Sequence, residues 1–158
     1  MGKNQSFIDS QGLIDLAAKY GVNVLVTGSS HNIWRTKPLQ INKNCPSIAL
    51  TTNAKGANPA CVGSNDSKFY KKSHGLIQAH AGVAGKTKAL KLTKYPDACN
   101  PQADGEVKHY ASKNTCITTA ITGIVSLTIT PNELTGKFLK TDGTEFTPYT
   151  FIISKDQL

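Results

Sequence analysis

A lone helix-to-strand step near the start of the chain limits what the rest can build. From Ser6 to Lys19 the apolar residues recur at helical spacing, through Ile8, Leu13, Ile14, Leu16 and Ala17 to Tyr20, and Gly21 stands where a helix C-terminal glycine belongs. The run Val22-Asn23-Val24-Leu25-Val26-Thr27-Gly28 follows at once. It is β-branched, apolar and closed by glycine, which predicts a buried strand opening into a loop. One such unit cannot form a parallel sheet alone, so the remaining residues must supply sheet of another kind.

They read as short strands separated by polar loops. The expected strands run from Trp34 to Ile41, Ser47 to Thr52, Gly75 to Ala81, Thr87 to Thr93 and Glu106 to Ala111, and Asn53 to Ser73 reads as a long loop. The last third carries the clearest pattern. Residues Ile124 to Ile129 alternate by two, Leu134 to Lys140 and Tyr149 to Ser154 follow, and Asp142-Gly143 marks a turn between the last pair. The expectation is an α+β fold, with one N-terminal helix and buried strand ahead of a mainly antiparallel β region. With 158 residues the chain is one domain or the C-terminal part of a larger one, in which 1–35 form the helix, strand and loop and 36–158 the β-rich region.

Charge and cysteine usage narrow the function classes. The net charge of +8 comes from eighteen basic residues, of which only Arg35 is an arginine. Lysines spread along the whole chain read as a solvated surface and not as a specific nucleic-acid reader, which leans on arginine forks and stacked aromatics. A lysine-rich polyanion binder is the weaker alternative. No apolar run approaches the length of a membrane helix, so no membrane span is expected. Cys45, Cys61, Cys99 and Cys116 contain no C-x-x-C pair, and two disulfides are expected. The local pairing, Cys45 with Cys61 and Cys99 with Cys116, closes two short loops, and other pairings stay open. Oxidised cysteines point to an extracellular or periplasmic location, with which the sequons at Asn4 and Asn65 are compatible. The Gly-Lys-Thr at Gly85 to Thr87 lacks the first glycine of a phosphate loop, because Ala81 occupies that position.

The segment from Val24 through Gly28-Ser29-Ser30-His31 to Trp34-Arg35 resembles the last metal motif of the calcineurin-like metallophosphoesterases, the superfamily that includes the purple acid phosphatases. There a helix and strand lead into Gly-His-x-His, followed by an aromatic residue and an arginine. Gly75 to Gly85 is similar to the strand and glycine-rich turn that follow in those enzymes. Leu134 to Phe138, Asp142-Gly143-Thr144 and Phe151-Ile152-Ile153 are similar to their closing hairpin. The resemblance implies the tail of a metallophosphoesterase β-sandwich, with His31 as a metal ligand and Arg35 as a phosphate contact.

Two departures shape what the resemblance implies for activity. Ser29 stands where the family has its first histidine, and a hydroxyl is a poor ligand beside imidazole. The family's Asp-x-His, Gly-Asp-x-x-Asp and Asn-His-Glu segments have no counterpart here. His74, His80 and His109 read as structural or surface residues. The expectation is therefore the C-terminal part of a secreted metal-dependent phosphoesterase, catalytically incomplete alone. A dinuclear site of iron, zinc or manganese and a phosphate ester substrate belong only to a complete enzyme, so no cofactor is expected for the chain alone. The alternative is a secreted β-rich structural or binding module derived from one. In either case the exposed Val22 to Val26 strand is expected to associate with the missing N-terminal half, or with copies of the chain by strand addition.

Overall fold

The computed structural model describes residues 12–28, 33–48, 58–83, 110, 112, 115 and 121–156. Helix α1 covers Leu13–Lys19 and buries Ile14 and Ala17, one turn apart on the same face. Asp15, on a partly covered flank, accepts the Ile48 backbone N–H at 2.6 Å and the Ser47 hydroxyl, tying the helix to the segment after Cys45. Gly21, with φ of 71°, takes the left-handed conformation that releases the chain into the first strand.

Seven strands form two mixed sheets among the described residues. The first sheet has the order β1-β4-β2, from Val24–Thr27, Ile77–Ala81 and Ile33–Arg35. Here β1 runs parallel to β4, pairing Val24 with Ile77 and Thr27 with His80, whereas β2 is antiparallel and sets Trp34 against His80. The second sheet has the order β3-β7-β6-β5, from Phe69–Lys71, Phe151–Ser154, Glu133–Lys140 and Gly123–Ile129. Its outer pair β3–β7 is parallel and the rest antiparallel. The fold is thus α+β and mostly β, as the period-two segments predict.

The sheets share an apolar layer. Ile33, Ile77 and Ala79 of the first meet Tyr70, Phe138, Phe151 and Ile153 of the second, with Tyr149 between them, all buried. The opposite side of the first sheet is covered near Leu25 by α1, where Ile14 and Ala17 pack with Leu39, Leu76, Tyr110 and the disulfide Cys45–Cys61. That disulfide matches the expected local pairing; Cys99 and Cys116 lie outside the described residues.

Several expectations change. The first strand is not buried on both faces: β1 is an edge strand in which Val26 is 52% exposed. The stretch from Trp34 to Ile41 is strand only as far as Arg35 and then makes isolated bridges, Leu39 pairing with both Val62 and Leu76. The expected Asn53 to Ser73 loop contains strand β3 and a short 3-10 turn at Pro59–Cys61. Ser47 and Ile48 are not in a strand. The strand expected from Thr87 to Thr93 and most of that from Glu106 to Ala111 fall outside the described residues.

Candidate functional site

In an open sheet with a parallel pair, loops leave from the carboxyl ends of the strands, and ligands meet the protein there. In this chain that edge is where Thr27 ends β1 beside His80 of β4. Alternation along the strands puts Leu25, Thr27, Trp34, Thr36, Gln78 and His80 on one side of the sheet and Val24, Ile33, Arg35, Ile77 and Ala79 on the other.

The first side carries a linked polar group. The Thr27 hydroxyl lies 3.1 Å from His80 Nδ1 and accepts from Gln78 Nε2 at 3.3 Å. The Gln78 backbone N–H donates to Thr36 Oγ1 at 2.9 Å. The Trp34 indole stacks on the His80 imidazole, with centroids 4.9 Å apart and planes 7° from parallel. His80 and Gln78 are each only 5% exposed, and Gln78 Oε1 has no hydrogen-bond partner among the described residues. This arrangement can offer a ligand an imidazole held by a hydroxyl and an aromatic face, and a buried amide oxygen able to accept one more hydrogen bond.

Arg35 occupies the other side. It is fully buried, and its guanidinium is committed to the protein: Nε donates to the Tyr149 carbonyl at 2.7 Å, Nη1 to Tyr70 Oη at 3.0 Å and Nη2 to the Ser67 carbonyl, with longer bonds to the Thr36 and Thr150 carbonyls. The cation also sits 5.6 Å from the Phe151 ring centroid. A phosphate contact through Arg35 would require these bonds to break. As placed, the side chain bolts the first sheet to the second.

His31 and Ser29 lie outside the described residues, as does His109. His74 closes the short 3-10 turn Lys72–His74 ahead of β4, the opposite end of that strand from His80, and accepts the Lys71 backbone N–H at 3.2 Å. Among the described residues no three of His, Cys, Asp and Glu gather as metal ligands. His80 and Thr27 by themselves do not match the donor set of a dinuclear centre, and no chemical step is derived through one. Sequence reading missed Thr27 and Gln78 at this edge. The signal was present in the polar residues alternating with Ile77, Ala79 and Ala81 along β4.

The shifted acids lie away from this edge. Backbone N–H groups of Lys68 and Phe69 hold the Asp66 carboxyl below its usual range, and a bond from the Thr150 hydroxyl does the same for Glu145, helped by Lys137 at 3.0 Å. Burial pushes the Tyr149 phenol well up. Comparison with protein-family models, with curated proteins and with solved structures finds no match to this chain.

Proposed function

We propose that the chain is the C-terminal, β-rich part of a secreted metal-dependent phosphoesterase and is catalytically incomplete without further sheet. The observation that supports this reading most is the parallel β1–β4 pair, whose carboxyl ends meet at Thr27 and His80 with the His31 segment following directly in sequence. The outer edge of β1 is unpaired among the described residues, so there is room for the strands that would bring the missing ligands. An oxidising compartment, extracellular or periplasmic, fits the Cys45–Cys61 bridge.

In this reading His31 supplies one metal ligand, and the remaining ligands come from the missing half. Arg35 supports the site by holding β2 in place and does not touch phosphate. The test is metal binding and turnover by the full chain. Cobalt or zinc should bind weakly, at no more than one ion per chain, and His31→Ala should abolish it, while p-nitrophenyl phosphate is not hydrolysed. Hydrolysis by the chain alone, or metal binding indifferent to His31→Ala, overturns the reading.

A second reading, a secreted binding or structural module without catalysis, is favoured by one specific observation. Leu13, Leu16 and Tyr20, at helical spacing along and just after α1, are 41%, 53% and 75% exposed, an apolar surface of the kind that partners cover. Absence of His31-dependent metal binding would select it over the first.

A further inference from the structure

Among the described residues the two sheets have four edge strands, β1, β2, β3 and β5, and of these only β5 has the length and composition to recruit another chain. Strands β2 and β3 are three residues long and β1 four. β3 ends in Lys71 and is flanked by Lys68 and Lys72, a common protection of sheet edges. Strand β5 spans seven residues, Gly-Ile-Val-Ser-Leu-Thr-Ile, with no charge and no proline. The uncharged stretch of sequence runs from Asn114 to Asn132, in a chain of net charge +8. Ile124, Leu127 and Ile129 on this strand are 58%, 37% and 73% exposed.

The direction of the free backbone groups follows from the hairpin. Thr141 N–H donates to the Thr122 carbonyl, and Thr130 N–H to the Glu133 carbonyl. Stepping by two between these pairs, Ile124, Ser126 and Thr128 turn their amides and carbonyls toward β6. The groups of Gly123, Val125, Leu127 and Ile129 therefore point away from the sheet. Gly123 is buried, whereas Val125, Leu127 and Ile129 present three donors and three acceptors that are unpaired among the described residues.

We propose that β5 pairs antiparallel with β5 of a second copy, joining two four-stranded sheets into one across a two-fold axis at Ser126. This goes beyond the phosphoesterase reading and does not depend on it. The strand is complementary to itself in that register. Val125 faces the partner's Leu127 on both sides of the axis, which satisfies the outward backbone groups of both residues in both copies.

Charge permits this contact. The nearest lysine across the axis is Lys137 on β6, which is already paired with Glu145. Three strand spacings, about 14 Å, separate it from its symmetry mate. That exceeds the screening length of about 8 Å at physiological salt. A charged peptide would leave its side chains opposite an apolar row, so a second copy is the better occupant.

The test is the solution mass of the full, oxidised chain by light scattering and sedimentation. At about 100 μM, where a micromolar dimer is saturated, the expected mass is twice that of one chain and should fall on dilution. Ser126→Lys sets two like charges directly opposite each other across the axis and should raise the dissociation constant about tenfold or more, as should Ser126→Glu. An equimolar mixture of S126K and S126E should recover the dimer. Leu127→Pro removes an outward N–H without touching the β5–β6 bonds and should give the single-chain mass with an unchanged far-ultraviolet spectrum. A single-chain mass for the unmodified protein overturns the proposal. So does an association that survives both S126K and L127P, which would place the contact on the β1 edge, or an assembly larger than two chains.

Discussion

Replacing Arg35 tests the central claim about how the two sheets are held together. In the folded chain the guanidinium is fully buried and satisfies the carbonyls of Tyr149, Thr150 and Ser67 and the hydroxyl of Tyr70, all on the second sheet or its flanking turns. Arg35→Ala leaves these acceptors without a donor in a place water does not reach, at about 1–3 kcal/mol for each that stays unpaired. The loss is offset because the mutant no longer removes a cation from water, a penalty of several kcal/mol in the wild type. The net destabilisation expected is about 3–5 kcal/mol, a large share of the 5–15 kcal/mol typical of a domain. Arg35→Met fills most of the volume but leaves the same orphans, and should cost about 3 kcal/mol. Arg35→Lys keeps a charge with fewer donors in the wrong geometry and should cost about 2 kcal/mol. Urea unfolding at fixed pH with the disulfide intact measures all three. If Arg35→Met unfolds within about 0.5 kcal/mol of the wild type, the bonds of the guanidinium merely cancel its desolvation and the bolt argument fails.

Tyr149 offers the converse perturbation: its hydroxyl is buried with no partner, so Tyr149→Phe should leave stability unchanged or raise it by up to about 1 kcal/mol in the same urea titration. Gly136 lies under the Phe151 ring, where an added Cβ would come within 2.2 Å of it, and Gly136→Ala should cost about 1–3 kcal/mol, read as a lower thermal midpoint. The Glu145 carboxyl is held below its ordinary 4.5, first by the Thr150 hydroxyl and then by Lys137. Because its folded pKa is depressed, it contributes stability above pH 4.5 that disappears as pH falls through the lower folded value. Denaturation midpoints from pH 7 to pH 2 should accordingly fall less steeply at the acid end for Glu145→Gln than for the wild type.

Local pattern carried the parts of the fold that local chemistry decides. The β5–β6 hairpin turns at Pro131-Asn132, and after β6 ends at Lys140 the chain turns at Asp142-Gly143, where Thr144 N–H donates to Asp142 Oδ1 and Gly143 has φ of 82°. Both strands begin and end within a residue or so of where alternation places them. β3 was illegible for the opposite reason. Its three residues pair in parallel with Phe151–Ser154, some eighty positions away, and nothing near Phe69 signals such a partner. The apolar run in β1 misled because apolar character does not reveal how far the opposite sheet reaches: Val24 and Val26 share a face, yet only Val24 is well covered. Arg35 stood out in composition as the lone arginine, but its partners are carbonyls, which every residue carries, so sequence could not say whether it faced substrate or core. The candidate edge was legible in part, through the apolar run that Gly28 closes; His80 read as a structural or surface residue, and its link to Thr27 and Gln78 emerges only from the parallel register.

Trp34 and Arg35 show how strongly strand geometry constrains any activity at this edge. In sequence they are neighbours and invite assignment to one site. In β2 consecutive side chains must point to opposite faces, so once Arg35 enters the layer between the sheets, Trp34 is directed to the other side, onto His80. The face with Thr27, Trp34, Gln78 and His80 then contributes neutral donors and one imidazole but no arginine. An anion held there would be held by hydrogen bonds from neutral side chains and a ring N–H of His80, and not by a guanidinium. Stability and any recognition at this face would thereby be divided between two adjacent residues: Arg35 substitutions should be read in unfolding curves, and Trp34 or His80 substitutions in the binding of whatever ligand that face would hold. Placing both on one face would require a bulge between them in β2; a one-residue slip would only exchange their faces, and would put Ile33 on the outer side and take it from its position beside Ile77 and Ala79.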